Sequence, residues 1–130
     1  FLLAVAFGLP LLSGGRGGLA VFAAPSAGFL LGWPLGAAAS GAVMALLPGR
    51  TPLSLAIKAF AASVVGGIGV VYASGIVGLM TLAHLSAGQA TVASLAFVPG
   101  DLVKCIVSAL VVHTVARGLP DWSFGGRRRA

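Results

Sequence analysis

The stretch SAGFLLGWPLGAAASGAVMALL, Ser26 to Leu47, carries no charge over 22 residues and decides the fold class. It lies within a longer charge-free interval from Arg16 to Arg50, and a second such interval runs from Lys58 to Asp101. Each can hold a helix of the roughly 20 apolar residues needed to cross about 30 Å of hydrocarbon. Neither alternates polar and apolar residues as the strands of a membrane barrel do, so the spans are helices. The whole chain agrees: of 130 residues 58% are hydrophobic and 8% charged, with a mean hydropathy of +1.09. That composition excludes a small soluble domain with a solvated surface. The expected fold is an all-α integral membrane helical bundle.

Punctuation residues divide the chain into one domain with four spans. The first covers residues 1–12, stops near Pro10 and is followed by the glycine-rich Ser13-Gly-Gly-Arg-Gly-Gly18. The second covers 26–47 and ends at Pro48-Gly-Arg50. A third covers 53–84, with Thr51-Pro52 suited to a first helical turn. Residues 85–97 form a connector with room for a short helix, and the fourth span covers 98–117, ending at Arg117-Gly-Leu-Pro120. Residues 118–130 form a tail. The chain opens on Phe1 in apolar sequence, without a basic start or cleavage pattern, and reads as a piece whose earlier helices lie upstream.

Charge orients the bundle. Arg50, Lys58, Arg117 and Arg127 to Arg129 fall on one side, Arg16, Asp101 and Lys104 on the other. By the positive-inside rule the first set is cytoplasmic, as is the C-terminal tail, with Trp122 and Phe124 at the headgroup level. The net charge of +6 is thereby a matter of topology; basic residues are scattered rather than interleaved with aromatics, so no nucleic-acid partner is expected. Cys105 has no cysteine partner, and His84 and His113 have no companions at ligand spacing, so neither a disulfide nor a metal or other cofactor is expected. Small residues recur at Gly32/Gly36, Ala37/Gly41, Gly69/Ala73 and Ser74/Gly78, a spacing that lets helices approach closely.

Against this background Asp101 and Lys104 stand out, in Phe97-Val-Pro-Gly-Asp-Leu-Val-Lys104. Charges at membrane depth are expensive and point to a task. Lys104 precedes Arg117 by 13 residues, about 20 Å of helix, and so falls short of the outer boundary; a protein-lined cavity would accommodate it. At i and i+3 both side chains project from one face. Two readings stay open: Asp101 caps the helix and neutralises Lys104, or the two form a site for a small ligand with N–H donors at one end and an acid at the other. Four glycines around Arg16 add exposed backbone N–H groups and a planar guanidinium at the same end, without the spacing of a P-loop or a dinucleotide fingerprint.

Taken together, Gly14-Gly-Arg-Gly-Gly18, Pro25-Ser-Ala-Gly-Phe29 and Phe97-Val-Pro-Gly-Asp-Leu-Val-Lys104 resemble the BioY family, the biotin-binding S components of energy-coupling factor transporters. The resemblance covers essentially the whole chain. It implies the C-terminal part of a six-helix bundle, with the vitamin held near the outer face of the bacterial cytoplasmic membrane. It also implies biotin and membrane lipid as partners, with a transmembrane coupling protein and two cytoplasmic ATPases that supply any ATP hydrolysis, this chain being no enzyme. The substrate-binding residues it implies are Asp101 and Lys104, then Arg16 with Gly15 and Gly17, and Ser26, Gly28 and Phe29. Chemistry suggests Asp101 for the ureido N–H groups and Lys104 for the valerate carboxylate. Phe29 stands where an aromatic with a hydroxyl is more usual. The alternatives are an S component for another vitamin, an ion-coupled transporter or proton-relay subunit using Asp101, and a purely structural bundle.

Overall fold

The computed structural model describes residues 1–119; Trp122, Phe124 and the arginines at 127–129 lie outside them. Six helices follow one another: α1 Leu2–Ala6, α2 Ala27–Leu46, α3 Pro52–Ala62, α4 Val71–Leu82, α5 Ala87–Leu95 and α6 Val98–Gly118. Among the described residues there is no strand. A 3-10 turn, Leu19–Ala23, precedes α2, and the stretch Ser63–Val70 joins α3 to α4 without a break. Three helical rods are long and apolar enough to cross a membrane: Ala27–Leu46, Pro52–Leu82 and Val98–Gly118. The protein is a multi-pass membrane protein.

The ends of these helices follow from local chemistry. Thr51 accepts the Ser54 N–H at 3.2 Å ahead of Pro52, whose missing N–H costs nothing in a first turn. Ser86 and Gln89 form a reciprocal capping box for α5, with bonds of 3.3 and 3.0 Å. At the end of α4 the chain reverses through His84, at φ 54, which gives this histidine a turn-forming role. The N-terminal helix is shorter than the sequence suggests. It stops at Ala6, because Gly8 takes φ 98, and the segment up to Gly18 folds back so that the Gly18 N–H reaches the Val5 carbonyl at 2.7 Å. Val5, fully buried, packs there with Val21 and Leu30.

Packing centres on α2 against α4 and α3 against α6. The α2–α4 seam is a row of glycines. A Cβ on Gly28 would strike the Ser74 carbonyl and come within 2.8 Å of the Gly78 Cα; on Gly36 it would come within 2.6 Å of the Gly66 carbonyl oxygen. Backbone therefore meets backbone, the arrangement that stabilises helices in lipid through dispersion rather than water exclusion. Of the four small-residue pairs, Gly32/Gly36 and Ser74/Gly78 are used in this seam, whereas Gly41 faces open space and Gly69 meets nothing closer than 3.8 Å.

Between α3 and α4, Ser63–Val70 widens into π-type turns. At its start Ser40 of α2 donates its hydroxyl to the Ala62 carbonyl at 2.9 Å, a side-chain contact on the backbone where the widening begins. The widened turns alter the facing of everything after them, and the first buried pair beyond is Val71 and Tyr72.

Candidate functional site

Asp101 lies in the first turn of α6. The helix begins earlier than Asp101 does: Phe97 occupies the cap position, Pro99 sits in the first turn, and the Asp101 N–H is already bonded to the Phe97 carbonyl at 3.0 Å. The capping role allowed by the sequence is therefore corrected, since the Asp101 carboxylate is turned away from the backbone and toward neighbouring side chains. Its Oδ1 accepts from Lys104 Nζ at 2.8 Å, one helical turn along the same face. Its Oδ2 accepts from the Tyr72 hydroxyl of α4 at 2.5 Å.

The two partners are unlike. Lys104 has a side chain 80% exposed, so the described residues do not enclose it as the depth argument expected; its ammonium swings on a flexible stem. Tyr72 is buried, and its ring meets Phe29 edge-on with centroids 6.2 Å apart. Phe29 in turn rests over Gly75, where any Cβ would collide with the ring. One carboxylate thus joins three helices, α6 directly, α4 through Tyr72 and α2 through the Phe29–Tyr72 pair. Phe29 carries no hydroxyl, but its aromatic neighbour Tyr72 does.

The remaining candidates are accounted for locally. Arg16 donates Nε–H to the Ser13 carbonyl at 3.3 Å within its own loop and makes no bond to Asp101 among the described residues. The loop is closed by the Gly15 N–H on the Leu12 carbonyl at 2.9 Å and the Leu12 N–H on the Arg16 carbonyl at 3.1 Å. Gly14 and Gly15, at φ 77 and 68, hold left-handed conformations there, and a Cβ on Gly17 would strike the Leu9 carbonyl. Gly15→Ala is expected to cost about 1–2 kcal/mol of stability, from left-handed strain, and Arg16→Ala under about 0.5 kcal/mol, its bond being exposed. Thermal unfolding in detergent measures both, and a larger loss for Arg16→Ala would show that the arginine holds more than its loop.

Ser26 precedes α2 without a side-chain capping bond, and Gly28 belongs to the α2–α4 seam. Gly28 also lines a cavity of about 620 Å³ with Phe22, Leu31, Ser74, Val77 and Thr81. At 100° per residue the α4 members of that lining lie across the helix from Tyr72, so this space is separate from the Asp101 cluster. The sequence reading missed Tyr72. It is the only tyrosine in the chain, set in an otherwise apolar run, and that isolation was the available signal.

Comparison with known proteins places the chain as a whole. The model of the BioY family matches residues 1–121. The chain belongs to the BioY family. Similar proteins include the biotin transporter BioY of Rhizobium etli, 50% identical over 121 residues with 92% of this chain and 65% of the relative covered. The biotin transporter BioY of Rhodobacter capsulatus is 42% identical over 126 residues, with 90% and 65% covered. A crystal structure at 2.1 Å of the S-component for biotin from an ECF-type ABC transporter superposes with a TM-score of 0.77 at 26% identity, covering 90% of this chain and 61% of that one. The chain thus spans a little under two thirds of the length of each of these proteins. The all-α membrane bundle read from the sequence matches part of that S-component fold.

Proposed function

We propose that this chain is part of the biotin-binding S subunit of an energy-coupling factor transporter, a carrier rather than an enzyme. The observation that carries the reading is the Asp101–Lys104 pair at the start of α6, an anion and a cation side by side in a membrane bundle. Biotin offers complementary groups: ureido N–H donors suit a carboxylate, and the valerate carboxylate suits an ammonium. Support comes from relatives named as biotin transporters and from the solved S-component for biotin.

On this reading Asp101 receives the ureido ring and Lys104 the valerate, with Arg16, Gly15, Gly17, Ser26 and Phe29 as further lining and Gly28 acting through the seam that seats Phe29. The site faces outward from the bacterial cytoplasmic membrane, and the C-terminus is cytoplasmic. A transmembrane coupling protein and two cytoplasmic ATPases would drive transport.

Titration of the full chain with biotin, thiamine and riboflavin tests the substrate, with biotin expected to bind most tightly; equal affinities would refute the assignment. Lys104→Ala is expected to weaken biotin binding about ten- to a hundredfold, the usual loss for a charge-assisted contact, while detergent thermostability stays near that of the unmodified chain. Parallel losses in both would mark Lys104 as structural.

A further inference from the structure

We propose that Tyr72 is the positioning residue of the site, the fixed partner that holds the Asp101 carboxylate while Lys104 is exchanged for the ligand; this rests on the biotin-binding reading above. The two hydrogen bonds on Asp101 occupy different oxygens, Lys104 on Oδ1 and Tyr72 on Oδ2. A ligand acid that draws Lys104 away leaves Oδ1 free for an incoming N–H donor, and the exposure of Lys104 makes that movement inexpensive. Tyr72 has no comparable freedom. It is buried, its ring is braced by Phe29, and Phe29 is seated over Gly75.

A carboxylate on a two-torsion side chain, released by Lys104, would otherwise rotate or reach for water. Oδ2 is held by a hydroxyl on a different helix, so the direction of Oδ1 survives the exchange. Pre-setting an acceptor in this way reduces what must be ordered when the ligand binds. It also leaves a neutral donor on the anion when its countercharge departs, which limits the cost of the uncompensated charge.

Two accidents of composition make the proposal testable. Tyr72 is the only tyrosine, and Asp101 and Asp121 are the only acidic side chains. The infrared carboxylate stretch of Asp101 is therefore assignable by subtracting the Asp101→Asn spectrum. Tyr72→Phe keeps the ring and its contact with Phe29, and is expected to shift that band and to weaken biotin binding about three- to tenfold, less than a direct charge-assisted contact because the bond to Asp101 is lost in the free and bound states alike. An unmoved band, or a shifted band with unchanged affinity, would overturn the positioning role. Fluorotyrosine labelling supplies a second measurement on the otherwise unmodified chain: its single ¹⁹F resonance should move on Asp101→Asn and hold its position on Lys104→Ala. A resonance indifferent to Asp101→Asn would also overturn it. Failure of the unmodified chain to bind biotin would refute the functional reading instead, while the band and resonance shifts would still report whether Tyr72 holds Asp101.

Discussion

Asp101→Asn is expected to lower biotin affinity by about a hundredfold or more while leaving the bundle folded, the largest single effect on binding. The substitution keeps an oxygen that can accept the Tyr72 hydroxyl, so the link from α6 to α4 survives. It removes the charge that pairs with Lys104 and presents an NH2 group. Should that group face the ligand, donor meets donor, and a ureido N–H loses its acceptor and gains a repulsive neighbour. Asp101→Ala is a poorer test, because it strands the buried Tyr72 hydroxyl, at about 1–3 kcal/mol, and mixes folding with binding. Calorimetric titration beside thermal unfolding in the same detergent separates the two. An Asp101→Asn protein that binds biotin normally would remove the carboxylate from the site; one that unfolds without binding loss in its folded fraction would make the pair structural.

The largest effect on stability is expected at the α2–α4 seam. A Cβ on Gly78 would lie 2.6 Å from the Gly28 Cα and 2.8 Å from its nitrogen, and both obstacles are backbone that no rotamer change can clear. Gly78→Val should cost about 3 kcal/mol or more, above the usual range for an overpacked core, because two helix axes must separate. Gly41→Ala is the matched control. Its Cβ would meet open space on the same α2 helix, so the higher helix propensity of alanine should leave stability unchanged or raise it by up to about 1 kcal/mol. Denaturant titration in mixed micelles measures both. Similar midpoints for the two variants would mean that the seam yields more readily than its geometry implies. Phe29 follows Gly28 directly, so a displaced seam should also move the ring against Tyr72 and reduce ligand affinity.

The membrane character and helical fold were legible because hydrocarbon imposes one dominant constraint, and uncharged runs bounded by Pro, Gly and Arg meet it plainly. The pairing of Asp101 with Lys104 was legible for the converse reason: two charges in such sequence have few places to go. Tyr72 was not, since a lone aromatic hydroxyl in an apolar run becomes informative only when topology sets α4 beside α6. The small-residue pairs show the same limit. Gly32/Gly36 and Gly69/Ala73 read alike, and only the arrangement of neighbours distinguishes the seam from the open face. Glycines at 14 and 15 could be read as flexible, yet they hold defined left-handed turns.

The length of the Pro52–Leu82 rod has a consequence for how the carboxylate meets its surroundings. Its 31 residues extend about 45 Å, so fitting wholly within 30 Å of hydrocarbon would require a tilt near 50°, beyond the usual range of up to about 40°. Part of it stands clear of the acyl chains. From Tyr72 the rod continues ten residues to Leu82, about 15 Å, whereas α6 has only three residues ahead of Asp101, about 5 Å. One helix therefore overtops the other by roughly 10 Å beside the ion pair, and α5 packs against the taller one. Asp101 thus sits below the crest of α4, with protein standing above it on the Tyr72 side.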